Sequence, residues 1–164
     1  MFGKSLAEYI RFQKGVLVLI AVVWAARLVF SLAGIPVGVA RVVSITAVLM
    51  ATALYYPWAL QRTGFGSYKQ LYALALIQGV YSQTLVALGI VLGIVTGRDN
   101  VYTIPEFYPP SQGGTAFPVD GKNFGHAGAH IVLAGAIFIP LTVFLLGSIV
   151  LFVLRKVSPR TARA

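Results

Sequence analysis

The chain has 164 residues, of which 58% are hydrophobic and only 10% are charged. A soluble domain of this size could not hide so many apolar residues, so the composition predicts an integral membrane protein. Cysteine is absent, which excludes disulfides, thiolate metal sites and cysteine-dependent catalysis. The net charge of +9 is spread over short tails, loops and helices. We therefore expect no binding of nucleic acid.

Four apolar stretches are long enough to cross a bilayer about 30 Å thick. The predicted spans cover about residues 15–34, 37–60, 70–97 and 126–154. The second span ends in a Tyr-Tyr-Pro-Trp sequence, and such aromatic residues are typical of a membrane interface. The sequence therefore predicts an all-α integral membrane protein, in which residues 1–164 form one domain, a bundle of four transmembrane helices.

The distribution of Lys and Arg predicts the orientation of this bundle. Nine basic residues lie in segments 1–14, 61–69 and 155–164, whereas only two lie in segment 98–125. Because basic segments stay on the cytoplasmic side, we expect both basic tails, 1–14 and 155–164, in the cytoplasm. Segment 98–125 is then a long extracytoplasmic loop. The expected location is a bacterial inner (plasma) membrane, with the chain as a multi-pass protein.

The long loop has an unusual composition for a connecting segment. It contains four prolines, five aromatic residues and three of the four acidic residues of the chain, Asp99, Glu106 and Asp120. Its aromatic content favours an ordered structure, because disordered segments are normally poor in aromatic residues. A loop of this length without helix or strand signals is then expected to be functional.

Two arginines, Arg27 and Arg41, lie within predicted spans, and both are expected in the outer half of the bilayer. A guanidinium in the membrane costs at least about 3 kcal/mol, so it marks a functional site by default. The predicted spans hold no Asp or Glu. Counter-charges are expected from the loop residues Asp99, Glu106 and Asp120, or from a lipid phosphate, an anionic ligand or a partner subunit. Arg41 is also close enough to the outer headgroups to snorkel.

Polar and small residues recur at helical spacing on the third predicted helix. Gln78 and Ser82 are four residues apart and share a face, where they either line a ligand-binding cavity or make interhelical hydrogen bonds. Gly89, Gly93 and Gly97 form a ridge of small residues. Such a ridge lets a neighbouring helix approach closely, and it predicts helix packing or an oligomer interface.

His126 and His130 are the only histidines of the chain, and their spacing places them on one helix face. This spacing is compatible with a shared Zn²⁺ or Cu²⁺ ion, for which Asp120 or Glu106 could supply a third ligand. The structural alternative is that Asp120 or Asn123 caps the start of the helix, while His130 hydrogen-bonds to another helix or to the loop. Both interpretations stay open from the sequence.

The leading functional hypothesis is a small binding or transport-type protein with a cationic cavity in the outer leaflet. Cations and hydrogen-bond donors favour an anion, an anionic lipid or a carboxylate-bearing solute as the ligand. Four helices are few for a conducting path, so transport predicts a homo-oligomer. Six residues are expected to bind the ligand: Arg27, Arg41, Gln78, Ser82, His126 and His130.

Two other classes of function fit the same sequence. The chain could be an accessory subunit of a larger membrane complex, in which a partner subunit neutralises Arg27. It could also be a metal-dependent membrane enzyme that uses His126 and His130. No catalytic residues can be assigned, so we lean away from an enzyme, and no motif assigns the chain to a known family.

Overall fold

The computed structural model describes residues 1–36, 39, 42–103 and 122–157. These residues form four long helices, and no strand occurs among them. The helices are α1 (Leu6–Leu32), α2 (Ile45–Thr63), α3 (Tyr68–Thr96) and α4 (Phe124–Val157).

Three of the helices, α1, α3 and α4, are long and apolar enough to cross a membrane. The predicted all-α fold is therefore confirmed for the described part of the chain, and these three helices suggest a membrane protein. Helix α2 has 19 residues and is not among these three. The fourth span and the orientation of the bundle stay predictions.

Helix α1 begins nine residues earlier than the predicted span because its first turn is strongly capped. The Ser5 hydroxyl accepts a hydrogen bond from the Glu8 N–H at 3.2 Å, and the Glu8 carboxylate accepts one from the Ser5 N–H at 2.7 Å. This reciprocal capping box satisfies two backbone donors that a helix start would leave unpaired. Residues 6–14 consequently continue the helix instead of forming a separate tail.

The other helix boundaries also follow from local chemistry. Helix α2 starts after Ser44, whose hydroxyl accepts the Ala47 N–H at 3.2 Å. It ends at Gly64, which has a positive φ of 73°, a conformation that glycine adopts without strain. Gly97 ends α3 in the same way with a φ of 68°, and a Cβ added there would meet nothing within 4 Å. The structure thus uses Gly97 to stop the helix, where the sequence had predicted a packing contact.

Helix α3 is the central element of the bundle, because it contacts the three other helices. Helix α2 also touches each of the others and packs mainly against the second half of α4. Helices α1 and α4 make no close backbone contact with each other within the described residues. Helices α2 and α3 therefore lie between α1 and α4.

Helix α4 changes its winding in the middle, ahead of Pro140. Residues His130–Phe138 are π-helical, and the Ile139 N–H donates to the Ala134 carbonyl five residues earlier. Pro140 has no N–H to donate, so the regular hydrogen-bond ladder is interrupted at this point. The carbonyl of Gly135 faces Gly79 of α3 so closely that a Cβ on Gly79 would lie 2.5 Å from it. The backbones of α3 and α4 therefore approach each other closely at this glycine pair.

Candidate functional site

Arg27 is buried, with 4% of its surface exposed, although it lies on a helix that is otherwise apolar enough to cross a membrane. Its guanidinium carbon lies 5.6 Å from the centre of the Tyr102 ring, within the range of a cation–π interaction. Trp24, one turn earlier on α1, faces the same ring at a centroid distance of 6.2 Å. The Tyr102 hydroxyl donates to the Trp24 carbonyl at 2.9 Å. Tyr102 therefore covers the Arg27 region from the loop side.

The turn that carries Tyr102 is held against α3 by Asn100. The Asn100 side-chain N–H₂ donates to the Gly89 carbonyl at 2.9 Å, and its side-chain oxygen accepts the Tyr102 N–H at 2.9 Å. A Cβ on Gly89 would collide with the Tyr102 ring, and one on Gly93 would lie 2.5 Å from the Thr103 methyl group. Gly89 and Gly93, two members of the glycine ridge, thus leave the space in which the side chains of Tyr102 and Thr103 pack.

The sequence had assigned this ridge to a neighbouring helix or an oligomer interface. Gly89 and Gly93 are instead buried inside one chain, because the side chains of the 100–103 turn occupy the space that their missing Cβ atoms leave. The spacing of the glycines was informative about close approach, but it could not show which segment approaches.

An ion pair joins the two described ends of the long loop. Lys122 Nζ lies 3.0 Å from Asp99 Oδ1, and these residues stand at the two ends of the loop. The sequence had predicted Asp99 as a counter-charge for the membrane arginines, whereas the structure pairs it with Lys122. Glu106 and Asp120, the two other predicted counter-charges, lie outside the described residues, as does Arg41.

His126 and His130 are in direct contact, as their spacing predicted. Their Nε2 atoms are 3.1 Å apart, and both side chains are partly exposed. The Nδ1 atom of His130 lies 2.7 Å from Oε1 of Gln83 on α3. The Asn123 side chain accepts the His126 N–H at 2.7 Å and so caps the helix, which was one of the structural roles predicted. The sequence missed Gln83, for which the signal was a polar side chain on a predicted membrane helix.

A separate polar network ties α1, α2 and α3 together in the half of the bundle where α1 begins. The Tyr56 hydroxyl lies 2.7 Å from Gln13 Oε1 and 3.0 Å from Gln78 Oε1. The Gln78 amide N–H₂ donates to the Thr52 hydroxyl at 2.7 Å. We call these four residues the glutamine network: Gln13, Thr52, Tyr56 and Gln78.

The glutamine network supports the structural alternative for Gln78. All four of its members are at least 97% buried, and their hydrogen bonds cross between helices. Ser82, the other predicted polar residue of this face, donates to the Gly79 carbonyl of its own helix at 2.9 Å. Gln78 lies eleven residues before Gly89, or about 16 Å along α3, so it does not reach the Arg27 region.

Arg27 and the histidine pair lie at the same end of the bundle but on different sides of α3. Gln83 and Gly89 mark the two sides, and their six-residue spacing separates them by about 120° around the helix. Leu28, Tyr102 and Ala127 nevertheless belong to one hydrophobic cluster that joins α1, the turn and α4. We call the region of Arg27, Tyr102 and the two histidines the arginine–histidine end.

The comparison with known proteins gave no relative. The chain matches no family model, no curated protein and no solved structure. Among the described residues, no three His, Cys, Asp or Glu side chains form a group that could hold a metal ion. The chemistry of the arginine–histidine end must therefore be argued from its own residues.

Proposed function

We propose that this protein is a multi-pass membrane protein that binds an oxyanion, a carboxylate or a phosphate, at the arginine–histidine end. The observation that carries the proposal is the burial of Arg27 beneath Tyr102. The oxyanion would belong to a small solute or to an anionic lipid, because both present the same chemical group to a guanidinium. Passage of such a solute across the membrane is part of the same proposal.

The energetics of a buried guanidinium support this assignment. Arginine keeps its charge at all physiological pH values, and its five N–H donors form a planar fork that suits carboxylate and phosphate oxygens. Such a fork makes paired, charge-assisted hydrogen bonds to the oxygens of a carboxylate or phosphate group.

The surroundings of Arg27 supply recognition as well as charge. Tyr102 and Trp24 present aromatic faces, which suit the apolar part of a solute or the glycerol region of a lipid. A buried cation beside aromatic walls suits an amphipathic anion, which presents a charged part and an apolar part. The histidine pair lies at the same end of the bundle, on the other side of α3.

Tryptophan fluorescence offers a direct test, because the chain has only two tryptophans. In a Trp58→Phe background, Trp24 is the sole reporter, and it lies against Tyr102 beside Arg27. Purified protein in detergent is titrated with phosphate, with acetate and with a short-chain anionic phospholipid. We expect a saturable change for at least one of them. A saturable response to phosphate or acetate indicates a small solute as the source of the oxyanion, and a response to the phospholipid alone indicates a lipid.

Arginine variants decide whether this change comes from the proposed site. Arg27→Gln removes the charge and should weaken binding at least about tenfold, the size expected for a hydrogen bond to a charged group. Arg62→Gln is the matched control, since Arg62 lies 5.3 Å from the ring of Trp58 on α2 and the phenylalanine at position 58 of this background keeps an aromatic ring there. Circular dichroism checks that each variant keeps its helix content. An unchanged affinity in folded Arg27→Gln, or no saturable signal in the parent, contradicts the proposal.

The peripheral position of α1 favours a second candidate, an accessory subunit of a larger membrane complex. In its most apolar stretch only 11% of the residues are buried, compared with 44% in α3. A partner helix could therefore pack on α1 without displacing any of the other three described helices. A second copy of the chain would suit the same surface.

The absence of cysteine makes this second candidate easy to test by cross-linking. A single cysteine is introduced at Val22, which is 58% exposed on α1, and in a separate variant at Leu145, which is 60% exposed on α4. Cross-linking in native membranes should join Val22→Cys to another polypeptide and should leave Leu145→Cys unmodified. If neither variant gives an adduct, α1 faces lipid and the candidate fails.

A further inference from the structure

The histidine pair has a geometry that goes beyond a hydrogen-bonding role. One closed α-helical turn fixes the spacing, because the His130 N–H donates to the His126 carbonyl. The π-helical segment starts at His130, so the winding changes directly after the pair. Departures from regular α-helix of this kind are frequent at functional sites. Each imidazole presents Nε2 to the other, at 3.1 Å.

Gln83 fixes the proton of the His130 ring. A glutamine Oε1 atom can only accept a hydrogen bond, so the Nδ1 atom 2.7 Å away must carry the hydrogen. In the neutral ring, Nε2 is then left with its lone pair. Histidines that bind metals show the same arrangement, in which the second ring nitrogen donates to a carbonyl or carboxylate oxygen. Because Gln83 is 93% buried, its amide holds a defined position.

The distance between the two Nε2 atoms also fits a common metal ion. With metal–nitrogen bonds of about 2.0–2.1 Å, two nitrogens separated by 3.1 Å subtend an angle of about 100° at the metal. This value lies between the angles of octahedral and tetrahedral coordination.

We propose that His126 and His130 bind one divalent transition-metal ion through their Nε2 atoms, with Gln83 orienting His130 from α3. Imidazole ligands suit Cu²⁺ and Zn²⁺, whereas Mg²⁺ and Ca²⁺ prefer oxygen ligands. The remaining coordination positions would be filled by water or by an oxyanion. The proposal stands on the histidine geometry and does not depend on anion binding at Arg27.

The test uses the full-length chain without a histidine tag, purified after treatment with a chelator. One equivalent of Cu²⁺ is added, and electron paramagnetic resonance should show coupling to two nitrogen nuclei. Calorimetry with Zn²⁺ should give a stoichiometry of one, and Mg²⁺ should give no heat of binding. Because His126 and His130 are the only histidines, every imidazole signal comes from this pair.

Variants separate the metal site from a simple hydrogen bond between the rings. His126→Gln and His130→Gln should each weaken Zn²⁺ binding at least about tenfold, because each removes one of the two protein ligands. Gln83→Leu should weaken it about 10- to 100-fold, the usual effect of removing the partner that orients a ligand. Gln83→Glu should restore it, since a carboxylate also accepts the Nδ1 hydrogen. Gln78→Leu, on the same helix but outside the pair, is the control and should bind as the parent does.

Two results would overturn the proposal. The first is a Cu²⁺ spectrum of the parent protein with one nitrogen coupling or none, a measurement that needs no variant to fold. The second is Zn²⁺ affinity that stays the same in folded His126→Gln and His130→Gln proteins. Either result would mean that the 3.1 Å contact is an ordinary N–H···N hydrogen bond and that the pair is not a metal site.

Discussion

The glutamine network and the arginine–histidine end both bury polar side chains in an apolar bundle, but they do so in different ways. The glutamine network is neutral and packed between α1, α2 and α3. The arginine–histidine end holds a charged guanidinium beneath a turn of the loop and two imidazoles that are partly open to the surroundings. The first region joins three helices, while the second is the region at which we propose that a ligand binds.

Glycine contacts show the same contrast between the two regions. Gly79, next to Gln78, faces the backbone of α4, whereas Gly89 faces the side chain of Tyr102. A helix backbone can move only together with its helix, whereas a side chain on a turn can rotate away. The contact of Gly79 with α4, beside the glutamine network, should therefore tolerate less change than the contact of Gly89 with Tyr102.

The largest expected effect is that of Gly79→Ala. Its Cβ would lie 2.5 Å from the Gly135 carbonyl, so α3 and α4 would have to separate. We expect a loss of stability of at least about 2 kcal/mol, within the range of overpacked cores. Gly89→Ala should cost less, because the Tyr102 ring can shift. Thermal unfolding in detergent shows which of the two variants loses more stability.

Gly15→Ala serves as the control for this pair. A Cβ at this position on α1 meets nothing within 4 Å, so alanine should be neutral or stabilising by up to about 1 kcal/mol through its higher helix propensity. If Gly89→Ala proved as damaging as Gly79→Ala, the turn would be as rigid as the helix contact. The proposed difference between the regions would then be lost.

The second largest effect is expected for Gln78→Leu. The change removes the donor to Thr52 and an acceptor for Tyr56 while keeping a similar volume. Interhelical hydrogen bonds in membranes average about 0.6 kcal/mol each, so we expect a loss of about 1–2 kcal/mol. The control is Thr84→Val on the same helix, where the hydroxyl donates only to the Val80 carbonyl of its own helix. Equal stability of the parent and Gln78→Leu would mean that the network does not hold the helices together.

A smaller effect is expected for Tyr102→Phe at the other end. The ring and its contact with Arg27 stay, but the hydrogen bond to the Trp24 carbonyl is lost. We expect a loss of about 0.5–1.5 kcal/mol in thermal unfolding. Tyr55→Phe, at a 43% exposed position on α2, is the control and should leave stability nearly unchanged. A change larger than that of Gln78→Leu would reverse the order proposed for the two regions.

The smallest effect is expected for Asp99→Asn, which breaks the ion pair with Lys122. The Asp99 side chain is 70% exposed, and exposed ion pairs contribute at most about 1 kcal/mol. The difference from the parent should shrink further in 1 M salt, where charges are screened over about 3 Å. Unfolding measured at low and high salt checks this. A difference that does not depend on salt would show that Asp99 acts through packing or hydrogen bonding.

The helical class and three long apolar helices could be predicted from the sequence because they depend on composition and local periodicity. The start of α1 shows the limit of that reasoning. Apolar content alone placed it near residue 15, although Ser5 and Glu8 form a recognisable capping pair in the sequence. The contact between His126 and His130 was predictable for the same reason, since residues four apart on a helix are always neighbours.

Long-range partners were beyond the reach of the sequence. The spacing of Gly89 and Gly93 predicted that something packs closely on α3, but only the folded chain shows that it is the 100–103 turn. Gln83 had no visible role until α4 brought His130 to it across 47 residues. Hydrophobic periodicity defines which face of a helix is buried, whereas the identity of the neighbour depends on the packing of the whole bundle.

The sequence by itself determined that this is a helical membrane protein with an arginine and a histidine pair placed in or beside its apolar helices. Those features follow from residue type and from spacing along one helix. The tertiary structure decided that Arg27 lies beneath Tyr102, that Asp99 pairs with Lys122, and that Gln83 hydrogen-bonds to His130. Each of these contacts joins residues far apart in the chain, so only the three-dimensional packing could bring them together.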